Sequence, residues 1–122
     1  MSVPQMKIDS KGTKFWYLNG ERHRTDGPAV EYSDGSKFWY LNGERHRTDG
    51  PAVESSDGSK FWWLNGKRHR TDGPAIERSV GINYWYLNGT EVTWFEVYLH
   101  NLRSGNVETA KRILESEVAA RL

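Results

Sequence analysis

The chain has 122 residues, one small domain by length, and its 17 basic against 16 acidic side chains leave a net charge of +1. That balance excludes a globally basic chain that coats nucleic acid and an acidic-tail protein. With no cysteine, there is no disulfide framework, thiolate metal site or cysteine nucleophile.

No apolar run reaches the length of a transmembrane helix, and the opening MSVPQMKIDSKG lacks the apolar core of a secretory signal. A cytoplasmic location is the expectation. Residues 12–34 read GTKFWYLNGERHRTDGPAVEYSD, and residues 35–57 repeat them at 21 of 23 positions, differing at Thr13/Ser36 and Tyr32/Ser55. Residues 58–80 match the second copy at 18 of 23, and a partial fourth copy occupies 81–92. A period of this length implies stacked units, because one such unit is too short to bury a core alone.

Within each copy the sequence predicts a β-hairpin. Lys14–Leu18 is an aromatic, strand-favouring run, and Asn19-Gly20 after it is a type I′ turn signal. Residues 29–33 form the second strand candidate, and Asp34-Gly35 turns the chain into the next copy. Between them Thr25-Asp26-Gly27-Pro28 interrupts the ladder, since Pro28 has no N–H to donate. Strand alternation places Phe15 and Tyr17 on one face, with Trp16 and Leu18 on the other. The C-terminal third reads as helix. Thr93-Trp94-Phe95-Glu96 has capping-box spacing. Phe95, Tyr98, Leu99 and Leu102 share a helical face, Gly105 ends the first helix, and Asn106 caps a second. Val107, Ala110, Leu114, Val118 and Leu122 share a face of that second helix. The expected fold is mainly β: three to four stacked 23-residue hairpin repeats over 1–92, closed by a helical hairpin cap over 93–122. In that cap Val107, Leu114 and Val118 bury against the last repeat. The first edge, near residues 5–11, is open to self-pairing into a homodimer.

The repeat resembles the MORN repeat. Tyr17-x-Asn19-Gly20-x-x-His23 and the later Asp34-Gly35 carry the likeness, and copies two and three preserve it. The wording Arg-His-Arg-Thr-Asp-Gly-Pro-Ala is similar to a variant found in bacterial and bacteriophage proteins. Two features depart from the common repeat: His23-Arg24-Thr25-Asp26-Gly27-Pro28 replaces His-Gly-x-Gly, and Trp16, Trp39 and Trp62 stand at usually polar positions. The resemblance implies a curved hairpin array that contacts proteins or membranes, with antitoxin-like relatives that neutralise a partner by binding it. It implies no catalysis.

Candidate sites follow from the copies. His23, His46 and His69 sit too far apart to share an ion, since equivalent positions two strands apart lie about 9.5 Å from each other. Each is expected to bond within its own turn. Glu96 and His100, four apart, make half a metal site without a second half, so no metal and no cofactor are expected. The arginine pairs Arg22/Arg24, Arg45/Arg47 and Arg68/Arg70 make a basic ladder, which Asp26, Asp49 and Asp72 stand ready to neutralise. Three near-identical copies supply the same groups three times, whereas an active site needs distinct groups in distinct roles. The expected function is therefore a non-enzymatic module that occupies a partner protein; inhibition of that partner, as a phage counter-defence or antitoxin-like factor in a bacterial cell or an infected host, is the further role the resemblance implies. Its contact surface is expected at Trp16, Trp39 and Trp62 with Arg24, Arg47 and Arg70 beside them, because Trp and Arg dominate interface hot spots. The alternative is a nucleic-acid or anionic-lipid binder using the arginines.

Overall fold

The computed structural model describes residues 3–122. The chain is mainly β, with mostly antiparallel strands, and ends in two helices. No helix precedes Trp94 among the described residues, and none is long and apolar enough to cross a membrane.

The first strand, β1 (Gln5–Ile8), pairs antiparallel with β2 (Lys14–Leu18), aligning Met6 with Trp16 and Lys7 with Phe15. β2 serves two partners. Its second half pairs with β3 (Glu21–Arg22) across the Asn19-Gly20 turn, and its first half pairs with β4 (Val30–Glu31). The handover falls at Trp16, whose N–H donates to the Ala29 carbonyl while its own carbonyl accepts from His23 N–H. The same bonds recur 23 and 46 residues on, at Trp39 and Trp62. There the bend splits the strand into β5 (Lys37–Phe38) and β6 (Tyr40–Leu41), then into β9 (Lys60–Phe61) and β10 (Trp63–Leu64). The hairpin tips are completed by β7 (Glu44–Arg45) and β11 (Lys67–Arg68). The return strands are β8 (Val53–Glu54) and β12 (Ile76–Glu77), and the last hairpin joins β13 (Trp85–Leu87) to β14 (Thr90–Val92). The main sheet runs β1-β2-β4-β5-β8-β9-β12, with β3 beside β2.

The turns obey the sequence. Asn19, Asn42, Asn65 and Asn88 all have φ near +50°, and each is followed by a glycine at positive φ, as a type I′ turn requires. Return strands are shorter than residues 29–33 suggest: only Val30–Glu31 holds strand geometry. The chain turns again at once, with Gly35 N–H donating to the Tyr32 carbonyl and Tyr32 N–H to the Ser36 carbonyl. Adjacent copies are tied by Ser56 N–H to Ser36 Oγ and Ser79 N–H to Ser59 Oγ, each 3.0 Å. Ala29, Val30, Ala52, Val53, Ala75 and Ile76 are buried, so both faces of the return strands are covered.

The helices are α1 (Trp94–Arg103) and α2 (Val107–Ala119). Thr93 and Glu96 form the expected capping box, with Glu96 Oε2 accepting the Thr93 N–H at 2.8 Å. Asn106 is the N-cap of α2, but its side chain makes no capping bond. The expected inward faces hold at Ala110 but not at most of the other positions. Val107, Leu114, Val118, Leu122, Phe95 and Leu102 are exposed, and the buried residues are Val97 and Asn101 on α1 and Ala110 and Ile113 on α2. The inward line holds small or self-satisfied side chains. Asn101 Nδ2 donates to the Thr71 carbonyl at 2.7 Å and to the Val97 carbonyl at 2.9 Å, so its burial leaves no amide proton unbonded.

Candidate functional site

Each of the three predicted tryptophans lies under its predicted arginine. The guanidinium carbons of Arg24, Arg47 and Arg70 sit 3.9, 3.9 and 3.7 Å from the ring centroids of Trp16, Trp39 and Trp62. The rings are half-buried. The arginines are also engaged by local acceptors. Their Nε atoms donate to Asp26, Asp49 and Asp72 at 2.7–2.9 Å, and their Nη1 atoms to the carbonyls of Pro28, Pro51 and Pro74. Glu31, Glu54 and Glu77 close the other side, at 3.7, 3.3 and 2.6 Å. The Arg24 and Arg47 guanidiniums hold the carboxyls of Asp26 and Asp49 below the ordinary carboxylate range. With two carboxylates per guanidinium, this stack carries excess negative charge and fixes the Gly-Pro turn.

The other arginine of each pair is placed differently. Arg22 lies opposite Tyr17 across the hairpin, hence on the Phe15 face. Its guanidinium carbon is 5.7 Å from the Phe15 ring centroid and 5.5 Å from that of Tyr40, in the next copy. Arg45 lies 5.5 Å from Phe38 and 5.2 Å from Trp63, and Arg68 lies 5.2 Å from Trp63 and 5.5 Å from Tyr86. Lys7 extends the series, with Nζ 6.0 Å from the Tyr17 ring. The order along this face is therefore Lys7, Tyr17, Arg22, Tyr40, Arg45, Trp63, Arg68, Tyr86. None of these four cations forms an ion pair among the described residues. Arg68 Nε is buried without an acceptor. Burial works against the charge of Arg22, but the phenols of Tyr17 and Tyr40 outweigh it and raise its pKa.

The histidines do not bond within their own turns. His23 Nδ1 accepts the N–H of Asn42, His46 that of Asn65 and His69 that of Asn88, at 2.9–3.0 Å. Each clips its copy to the turn of the next. An N–H aimed at Nδ1 requires that nitrogen to be unprotonated, so the ring proton sits on Nε2. Burial, and secondarily the neighbouring His100, lower the pKa of His69. Glu96 is engaged in its capping box, and no cluster of three potential metal ligands exists among the described residues. A concavity of about 920 Å³ lies between the Arg70–Pro74 turn and α2, with Trp85 and Trp94 in its walls.

Sequence reasoning treated each arginine pair as one ladder and missed the division between them. The available signal was the Thr-Asp-Gly-Pro turn, which starts three residues after Arg22 and takes Arg24 off the strand. No known protein family, curated protein or solved structure matches the chain.

Proposed function

We propose that the chain is a non-enzymatic binding module that occupies an acidic surface of a partner protein and so inhibits it. In this reading three to four stacked 23-residue hairpin repeats display the contact face, and the helical pair closes the stack. The observation that carries it is the sorting of charge. A chain of net charge +1 neutralises Arg24, Arg47 and Arg70 on one face, and leaves Lys7, Arg22, Arg45 and Arg68 without counter-ions on the other. Complementary charge steers encounter and fixes register, and half-buried arginines on aromatic rings lose little further side-chain entropy on binding. The likeness to MORN repeats with antitoxin-like relatives supports a neutralising role.

The contact surface moves in consequence from the Trp16, Trp39 and Trp62 stripe to the opposite face. Guanidiniums that already cover their tryptophans and pair with two carboxylates each carry no net positive charge to offer an acidic partner. Nucleic acid is the less favoured ligand, because base stacking needs open rings and the Trp63 ring has a guanidinium 5.2 Å away from each of two copies. The test is capture from extract of the producing cells with its nucleic acid intact, the bound material being analysed for both protein and nucleic acid, followed by titration of the purified partner. We expect a single acidic protein, retained by the native chain and lost with Arg22→Glu/Arg45→Glu. Binding of nucleic acid alone overturns the reading.

A further inference from the structure

The spacing of the ladder narrows the chemistry of what it holds. Consecutive guanidiniums belong to equivalent positions of consecutive copies. Arg22 and Arg45 are separated by β6, because Arg24 N–H bonds the Tyr40 carbonyl and Gly43 N–H bonds the Arg22 carbonyl. The same bonds join Arg47 to Trp63 and Gly66 to Arg45 one copy later. Each step along the ladder therefore spans two strands, about 9.5 Å at about 4.7–4.9 Å per strand. Lys7 on β1 also stands two strands from Arg22 on β3, but it lies opposite Phe15 and not Tyr17, two residues along the strand from the arginine row.

A bound segment that meets each of Arg22, Arg45 and Arg68 must repeat at this interval on one face. A β-strand faces one way every second residue, about 6.6 Å, and its next same-face position is about 13 Å away; neither fits. Polyproline II has three residues per turn and rises about 3.1 Å per residue, so its same-face positions recur every 9.3 Å or so. We propose that the Lys7–Arg22–Arg45–Arg68 face binds an acidic protein segment in polyproline II conformation, with a carboxylate at every third residue. This rests on the reading of that face as the docking surface. The ladder also has an end. Glu91 occupies the position of Arg68 in the fourth copy, opposite Tyr86, and repels further carboxylates there. The arginine row accordingly takes about three acidic residues, and the segment carries no acid beyond Arg68.

The experiment is fluorescence anisotropy on the full chain with labelled peptides at low salt. One probe is (Glu-Pro-Pro)4, and a second of equal composition holds its four glutamates in one block. A third is oligothymidylate of matched length. The spaced peptide is expected to bind at least tenfold more tightly than the block peptide and to weaken as salt rises. Arg45→Gln should weaken it at least tenfold, and Arg112→Gln, on the exposed side of α2, should leave it unchanged. Glu91→Gln should tighten binding by about two- to threefold. Equal affinity for the two peptides overturns the register while leaving an acidic partner in place. Failure of both peptides with binding of oligothymidylate overturns the docking reading itself, and failure of all three probes overturns the inference. Should Arg45→Gln not fold, the peptide comparison on the native chain decides without it.

Discussion

Arg45 and Arg47 stand two residues apart, and replacing each by methionine separates structure from function. Methionine retains the aliphatic stem, so the change removes mainly the guanidinium. At Arg47 that group is one-fifth exposed and lies 3.9 Å from the Trp39 centroid, a contact worth about 1 kcal/mol at partial burial. Its hydrogen bond to the Pro51 carbonyl, 3.0 Å long, contributes about 1.5 kcal/mol for a charged donor. The pair with Glu54, at 3.3 Å and 36% exposed, adds about 0.5 kcal/mol after solvent screening. Asp49 stands in solvent and adds nothing to the sum. Arg47→Met should therefore cost about 3 kcal/mol. Arg45 has no carboxylate partner, and its contact with Tyr40 Oη is long, at 3.4 Å. Its ring contacts are partly replaced by methionine sulfur, so Arg45→Met should cost under about 1 kcal/mol. Urea denaturation followed by far-ultraviolet circular dichroism and by tryptophan fluorescence measures both, with coincident transitions as the check on two-state unfolding. Partner affinity should show the reverse order, falling steeply with Arg45→Met and little with Arg47→Met. Equal stability costs for the two variants would refute the division of the arginines into a structural and a docking set.

Three further outcomes follow from the geometry. His69 has a folded pKa below the ordinary 6.5, so between those values the unfolded chain binds more protons. Its contribution to stability is complete above pH 6.5 and is lost as the pH falls through the folded value. A ring titration by nuclear magnetic resonance should place it below 6.5, and a midpoint at or above 6.5 contradicts the clip to Asn88. Asn42, at φ +49°, should tolerate glycine nearly neutrally, while Asn42→Ala should cost about 1 kcal/mol in urea titration because alanine resists the left-handed region. Ending the chain at residue 92 removes the Asn101 bond to Thr71 and uncovers the last hairpin; we expect a lower melting temperature and association in sedimentation, and an unchanged melt in a monomeric truncation argues against a capping role.

What the sequence made legible was whatever depends on neighbours along the chain. The Asn-Gly turns are local, since two consecutive residues must accept positive φ, and the capping box at Thr93 and Glu96 is local as well. What it hid depends on separations of about one repeat or more. The His23 acceptor serves Asn42, 19 residues away, and no spacing within one copy announces that. The helix faces misled for a related reason. Hydrophobicity favoured Val107, Leu114 and Val118, but the inward line was decided by a close approach that Ala110 fits and by a carbonyl at Thr71 that Asn101 reaches.

The arginines show how a local cause acquires a global effect. Residues two apart share a face only while the strand continues, and β3 ends at Arg22. The chain leaves the ladder at His23, so Arg24 reaches Trp16 while Arg22 stays with Phe15 and Tyr17. Repetition makes that one decision three times, and three identical decisions turn a turn motif into a charged face running along successive hairpins. In the fourth copy both positions change together, Glu91 standing where the third copy has Arg68 and Thr93 where it has Arg70. Thr93 then does what no arginine there would do: it caps α1. The ladder and the hairpin series therefore end at the same hairpin, because the residues that sustain each stand two apart in the same motif.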